Sequence, residues 1–282
     1  MHEGIGMRGI RRFLHSREGL AGVAILVLLA LVALSAPVLF PRDPLSIAGP
    51  ALLPPFHNPV LPLGTDSLGR DVLAGLMHGA RTSLLVGLAS ATAALIAGTV
   101  IGTLAGFLGG WVDEVLMRLT EAFQTVPGFL LALAFVSVIG PSIASVIAAI
   151  ALASWTGPAR MARAEVLSIR TRDYVAAARI IGMHPLEIAL REVLPNALPP
   201  VLALSSIIVA GAILTEAALS FLGLGDPNHV TWGGMIAGGR AALRIDPWLS
   251  ILPGMALVVT VIGVYLLGEG LTEAAAARRR LA

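Results

Sequence analysis

The residue with the clearest chemical potential in this 282-residue sequence is Glu216, in the string E-A-A-L-S-F-L-G-L-G. It is the one ionisable residue well inside a predicted apolar span, residues 197–225. A carboxylate at that depth is costly to keep in a membrane, so by default it indicates a functional site such as a solute path. Because Glu216 falls toward one end of the span, a helix-end carboxylate bonded to a neighbouring helix is the alternative. Glu216 is therefore a candidate translocation-path residue.

The residue types that are missing exclude several kinds of chemistry. The sequence has no cysteine, and all 19 basic residues are arginine. Without lysine the chain cannot complete the Gly-Lys-Ser/Thr end of a phosphate-binding loop. His78 has no partner at metal-ligand spacing, and no base lies near the serines and threonines of the apolar spans. We therefore predict no catalytic residue, no metal site and no cofactor held by this chain, which counts against an intramembrane enzyme.

Residues 159–200 form the longest strongly basic segment in an otherwise apolar chain. Six arginines lie in it: Arg160, Arg163, Arg170, Arg172, Arg179 and Arg191. Charges are expensive at the centre of a bilayer, so we expect this segment to lie outside the membrane, at its surface between two spans.

The same segment carries the signals of two short helices joined at a glycine. Thr171 is predicted to cap the first helix, and Gly182 to end it in a left-handed conformation. Pro185 suits the first turn of the second helix, which Pro195 is predicted to end. Asp173 and Arg179 match the dipole of the first helix, and Glu187 and Arg191 stand four residues apart in the second.

The composition is that of an integral membrane protein. Hydrophobic residues make up 56% of the chain and charged residues 13%, against roughly 25% in soluble domains. A span needs roughly 20 apolar residues. We predict an all-α fold with six transmembrane helices at residues 19–40, 83–110, 128–140, 142–157, 197–225 and 247–268.

Two features of these spans make further structural predictions. The short third span is expected to extend back into the amphipathic segment 111–127. In the second span, Gly98, Gly102 and Gly106 recur every four residues and should lie near one face, where another helix backbone can approach closely.

The arginines predict the orientation. With both termini in the cytoplasm, the inner segments carry 14 arginines and the outer loops carry 5. Positive residues favour the cytoplasmic side, so the N- and C-termini and the 159–200 segment are expected there.

The basic segment resembles the EAA motif of binding-protein-dependent ABC importers. Five positions of that pattern match in register: Ala177, Ala178, Gly182, Leu194 and Pro195. Ala176 replaces the glutamate of the pattern, and Glu192 replaces its isoleucine. The resemblance implies a coupling loop, residues 159–196, that docks on an ATPase subunit. It assigns that role to Ala177, Ala178, Gly182, Met183, His184, Pro185, Leu194 and Pro195.

A second string, L-G-T-D-S-L-G-R-D, precedes the second span and resembles a signature of the C-type permease subunits of dipeptide, oligopeptide and nickel importers. Its residues are Gly64, Thr65, Asp66, Gly69, Arg70 and Asp71. From the residues alone, Asp66, Arg70 and Asp71 could instead form a local ion-pair cluster. The segment 111–127 also resembles this family at Asp113, Met117, Arg118, Glu121 and Pro127.

The resemblance implies a type I ABC importer permease in the cytoplasmic (inner) cell membrane. Its divisions would be a cytoplasmic segment 1–18, a first span 19–40, an external loop 41–82, a permease core 83–269 and a cytoplasmic tail 270–282. The implied partners are a homologous permease in a heterodimer, two ATPase subunits that bind ATP and Mg²⁺, an external substrate-binding protein and the lipid bilayer, with no nucleic acid.

The cargo and one rival class stay open at this stage. Dipeptides, longer peptides, nickel chelates and glutathione are all carried by relatives with this signature, and we favour peptides as the commonest of these cargoes. The rival is a secondary transporter driven by an ion gradient, which would need titratable groups in mid-membrane. Glu216 is the only such group in the predicted spans, which counts against that class.

Overall fold

The computed structural model describes residues 16–279, with side chains described through residue 273. That range is helical and has no β-strand; isolated bridges occur only between residues 47 and 71. The first six helices are α1 (Arg17–Leu39), α2 (Val72–Leu108), α3 (Gly110–Thr125), α4 (Gly128–Ile139), α5 (Ile143–Ser154) and α6 (Thr156–Ile169). They are followed by α7 (Asp173–Ile180), α8 (Pro185–Ile188), a π-helical turn (Ala189–Val193), α9 (Leu194–Ala203), α10 (Ser205–Phe221), α11 (Trp232–Gly239) and α12 (Trp248–Arg279).

Three of these helices, α1, α2 and α12, are long and apolar enough to cross a membrane. Three bent pairs also qualify when each is taken together: α3 with α4 at 86°, α5 with α6 at 43°, and the 185–203 helical segment with α10 at 52°. The described chain therefore offers between three and six spans, and the all-helical prediction is confirmed.

α2 and α6 pack closely, with glycines of α2 against the backbone of α6. Gly98, Gly102 and Gly106 all face α6, and a Cβ at Gly102 would lie 2.1 Å from the Ala159 carbonyl oxygen. The predicted small-residue face is thus confirmed. The first part of the 159–200 segment, which was expected at the membrane surface, is the end of α6, and it packs along α2 as far as Ile169. Small or buried residues such as Ala159 and Ala162 make this fit.

The third span is not a straight extension of the amphipathic segment. α3 ends at Thr125, and α4 leaves it at 86°. The cause is Pro127, which forces the preceding residue out of the helical region; Val126 has φ −94° and ψ 127°. The bend leaves α4 only 12 residues long.

Pro195 does not end the helix, contrary to the prediction. The chain passes through the π-helical turn and continues as α9, with Pro195 in its first turn, where the missing N–H is tolerated. The Asn196 side-chain amide donates to the Glu192 carbonyl oxygen at 2.7 Å, which satisfies one backbone acceptor at this junction.

Two boundaries on the opposite side of the molecule also differ from expectation. α2 begins at Val72, well before the predicted start at residue 83, because the Asp71 carboxylate caps it by accepting from the backbone N–H groups of Leu73 and Ala74. His78 therefore lies on a helix, where its Nε2 is 2.9 Å from the Phe40 carbonyl oxygen. The loop after α10 likewise contains a helix, α11, which Thr231 caps.

Candidate functional site

The candidate site lies in the basic segment 159–200, at a sharp corner between α7 and α8. Gly182 has φ +84°, the left-handed conformation predicted for it. Its N–H donates to the Arg179 carbonyl at 3.1 Å, and the Met183 N–H donates to the Ala178 carbonyl at 3.1 Å. This is the Schellman arrangement that closes a helix end. No atom lies within 4 Å of a Cβ built on Gly182, so the backbone angle alone makes glycine the favoured residue.

The two helices have fitting ends on either side of the corner. Asp173 lies in the first turn of α7 and Arg179 in its last turn, as the dipole favours. Thr171 is not the cap: its hydroxyl donates to the Ser168 carbonyl at 3.0 Å, and Arg172 takes the capping position without a side-chain bond.

α8 begins as predicted at Pro185. The His184 side chain caps it by accepting from the Leu186 N–H at 3.3 Å. Glu187 and Arg191 form the expected ion pair at 2.5 Å. Because both side chains are largely exposed, this pair contributes at most about 1 kcal/mol.

A small hydrophobic core holds the corner to the rest of the molecule. Its buried members come from α6, α7, α8, the π-helical turn and α9: Val166, Ile169, Val175, Ala178, Ile188, Val193 and Ala197. Met183 packs against it from the corner. Two of the predicted coupling residues, Ala178 and Met183, therefore serve the interior, and they pack the corner directly against α6 and α9.

The outer surface of the corner is apolar, which the sequence reasoning missed. Ile180 is 85% exposed and Ile181 is 76% exposed, and Leu186 and Leu190 are exposed beside them. Of the predicted coupling residues, Ala177, Gly182, His184, Pro185 and Pro195 are also exposed, and Leu194 is half-buried at the base. The signal available in the sequence was the pair Ile180–Ile181 directly before the turn glycine. Adjacent isoleucines at a turn form a contiguous apolar patch when they are exposed, and such a patch indicates an interaction surface.

The residues of the second string form the turn that leads into α2. The Asp66 carboxylate accepts from the backbone N–H groups of Leu68 and Arg70 at 2.8 and 2.9 Å, and Asp71 caps α2. Among the ion pairs within residues 16–273 none joins Arg70 to either carboxylate, so the ion-pair cluster is wrong. Thr65 is buried, and its hydroxyl bridges the Pro50 carbonyl and the Leu53 N–H.

The turn also borders a cavity of about 310 Å³ on the same side of the molecule. Arg70 lines one wall, and Asp226 and His229 line the other. Partial burial by itself would raise the pKa of Asp226. The backbone N–H groups of Asn228 and Ile143 and the neighbouring His229 outweigh burial and lower that pKa below its ordinary value.

Glu216 lies at a junction of three helices, with 1% of its surface exposed. It accepts from the Ser220 hydroxyl at 2.7 Å within α10 and from the Ser83 hydroxyl of α2 at 3.1 Å. Ser83 in turn accepts from the backbone N–H of Trp232 in α11 at 3.2 Å. This geometry is that of the alternative, a carboxylate bonded to a neighbouring helix. A role for Glu216 in a translocation path stays a prediction. Within the described residues, no group of three His, Asp or Glu side chains could hold a metal ion.

Comparison with known proteins gives a consistent family match. Residues 98–281 match the family model described as "binding-protein-dependent transport system inner membrane component". A probable peptide ABC transporter permease of Sinorhizobium fredii is 43% identical over 90% of this chain and 87% of its own length. The di/tripeptide transport system permease of Pseudomonas aeruginosa is 38% identical over 93% and 88%. The oligopeptide transport system permease of Escherichia coli is 38% identical over 94% and 88%.

A solved structure shares the fold. A chain of the MetNI methionine ABC transporter, in an inward-facing conformation, superposes with a TM-score of 0.57 and 19% identity. The match covers 74% of this chain and 96% of that one.

Proposed function

Because this chain belongs to the family of binding-protein-dependent transport system inner membrane components, we propose that it is the permease subunit of an ATP-driven importer of di- and oligopeptides. The support for peptides as cargo is that relatives 38–43% identical over most of both chains are named as peptide permeases. Nickel chelates and glutathione are the alternative cargoes for the same machinery.

The observation that carries the proposal is the exposed apolar corner around Gly182. Exposed isoleucines at the end of a short, well-capped helix are costly in water and are expected to be covered by a partner. An ATPase subunit is the partner that fits, because this chain has no lysine for a phosphate-binding loop of its own. The docking surface would comprise the exposed coupling residues together with Ile180, Ile181, Leu186 and Leu190.

The proposed assembly has this chain beside a homologous permease, two ATPase subunits that bind ATP and Mg²⁺, and an external substrate-binding protein. The chain would cross the cytoplasmic membrane six times, with three straight spans and three bent ones and with both termini in the cytoplasm. The count of 14 inner and 5 outer arginines supports this orientation. The turn at Gly64–Asp71 and the adjacent cavity would then face the binding protein.

The mechanism follows from how the corner is held. Closure of the ATPase subunits on ATP would move the docked corner, and its small core would carry the movement into α6 and α9. Because α6 packs backbone to backbone on α2, and α9 leads through a 52° bend into α10, the movement reaches the spans as a shift of rigid helices. The chain itself would offer two arrangements whose balance its partners shift.

Cysteine cross-linking tests the docking surface, since the chain has no cysteine of its own. Ile181→Cys places a single thiol at the corner. Ile245→Cys, similarly exposed but in the loop between α11 and α12, is the matched control. In the assembly purified in mild detergent, we expect Ile181→Cys to cross-link to an ATPase subunit and Ile245→Cys not to do so. Equal capture by both variants, or by neither, would refute the docking surface.

A further inference from the structure

Side chains of α6, and Trp155 just before it, contact the amphipathic helix α3 near both of its ends. Arg163 binds Asp113 through two parallel hydrogen bonds, Nε to Oδ1 at 2.5 Å and Nη2 to Oδ2 at 2.6 Å. Arg160 donates to the Gln124 side chain at 3.1 Å, near the other end of α3. At that end Phe123 also meets Trp155, edge to face, with ring centroids 5.5 Å apart.

The Asp113–Arg163 pair differs from the other ion pair of α3. Its side chains are 17% and 34% exposed, whereas Arg118 and Glu121 are 76% and 62% exposed. A bidentate arginine–carboxylate pair fixes both distance and angle, which a solvated pair at a helix surface does not. Arg170 lies near the same carboxylate and donates to the Gly106 carbonyl at 2.8 Å, next to the α2–α3 corner.

α3 is bent away from the chain at both of its ends. It leaves α2 through Gly109 and Gly110, two consecutive residues with positive φ, +67° and +54°. It enters α4 through the 86° bend at Val126 and Pro127. No continuous helix therefore sets its direction, and its packing contacts, those with α6 among them, do so instead. α6 itself leads through α7 to the Gly182 corner, which carries the surface proposed to dock on the ATPase.

We propose that Asp113 and Arg163 are a positioning pair that makes α3 follow α6, so that movement of the coupling loop reaches the bend between α3 and α4. This rests on the proposed function. The consequence is that the pair determines how much transport each ATP hydrolysis produces. Neither residue is proposed to touch ATP or the cargo.

The first test measures coupling in the complete importer reconstituted in vesicles, with an ATPase assay and uptake of a labelled tripeptide. Asp113→Asn keeps the size of the side chain and removes its charge. We expect about a two- to thirtyfold loss of tripeptide imported per ATP hydrolysed, the range over which residues that link two sites change coupling. Arg163→Lys, which keeps the charge but loses the bidentate geometry, should fall between Asp113→Asn and the wild type. Glu121→Gln, which breaks the exposed pair on the same helix, is the matched control and should leave the ratio unchanged.

The second test measures whether α3 follows α6, independently of transport. Spin labels on Glu114→Cys of α3 and Ser168→Cys of α6, both exposed positions, report the distance between the helices. In the wild-type background and with Glu121→Gln, we expect one narrow distance distribution that is the same with and without trapped nucleotide. With Asp113→Asn it should broaden.

Two results would overturn the inference. One is a distribution of label distances that changes with nucleotide in the wild type. The other is an Asp113→Asn variant with unchanged label distances and unchanged coupling. A wild-type assembly that imports no peptide on ATP would instead overturn the proposed function, and the label distances would still decide whether the pair fixes α3.

Discussion

The substitution Gly102→Ala tests a contact at which two helix backbones, those of α2 and α6, approach closely. The added Cβ would lie 2.1 Å from the Ala159 carbonyl oxygen and 2.8 Å from the Ala162 Cβ. Ordinary contact begins near 3.4 Å, so α6 must move away by about 1.3 Å, the difference between 3.4 and 2.1 Å. The nearest atom belongs to the backbone and cannot rotate away. Overpacking of this kind costs about 1–3 kcal/mol, and a rigid neighbour places the cost near the upper end.

Gly211→Ala in α10 is the matched control. It is also a helical glycine, but no atom lies within 4 Å of its added Cβ. Both substitutions gain up to about 1 kcal/mol of helix propensity, so the difference between them isolates the steric effect. We expect Gly211→Ala to be as stable as the wild type or more stable, and Gly102→Ala to be less stable than Gly211→Ala by about 2–3 kcal/mol.

The assay is unfolding of the purified assembly, followed by tryptophan fluorescence, with the wild type and both variants at one detergent concentration. A Gly102→Ala variant as stable as Gly211→Ala would show that α2 and α6 are not packed backbone to backbone. It would also remove the path by which movement of the corner is proposed to reach α2.

Three further predictions concern the corner, the buried carboxylate and the loop between α10 and α11. Gly182→Val should lower peptide uptake per ATP, because a branched residue at φ +84° strains the corner by more than roughly 1–2 kcal/mol. Gly182→Asn should stay close to the wild type. Equal uptake by both variants would refute the role of the turn. Glu216→Gln should preserve ATP-driven uptake, because an amide can still bond both serines. Glu216→Ala should lose about 1–3 kcal/mol of stability, because it leaves a buried serine hydroxyl without its partner. Loss of uptake in the glutamine variant alone would favour a titrating path residue. Because the pKa of Asp226 is lowered, its carboxylate stabilises the fold at pH values above the ordinary Asp pKa, and this stabilisation is lost as pH falls through the lowered pKa. Thermal unfolding of the wild type and of Asp226→Asn should therefore differ at neutral pH and converge in strong acid. A difference that does not change with pH would refute this.

Local signals in the sequence were sufficient to predict much of the corner at Gly182. Gly182 at positive φ, Pro185 at the start of α8 and the Glu187–Arg191 pair depend on neighbouring residues alone, and all three are confirmed. The spacing of Gly98, Gly102 and Gly106 likewise predicted a close helix contact. What it could not predict was the partner, α6, because that segment was expected outside the bundle.

The errors share a physical cause. Pro195 and Pro127 have the same intrinsic preference, but one lies in the first turn of a helix that continues and the other follows an 86° bend. The local preference acts at Pro127, where Val126 leaves the helical region, and is overridden at Pro195, where Leu194 stays helical. Asp66 and Asp71 likewise bond nearby backbone N–H groups and not the Arg70 guanidinium, and the geometry of the turn sets that choice. The contacts of Glu216 with Ser83 and of Asp113 with Arg163 join residues far apart in sequence, so no spacing rule could reveal them.

The most direct test of the account is uptake by this permease reconstituted in vesicles with its partner permease, ATPase subunits and binding protein. Labelled tripeptide, glutathione and a nickel chelate would be offered separately, each with ATP, without ATP and with a proton gradient alone. The account predicts ATP-dependent uptake of tripeptide that requires the binding protein and does not respond to the gradient. Uptake driven by the gradient without ATP, and abolished by Glu216→Gln, would contradict it.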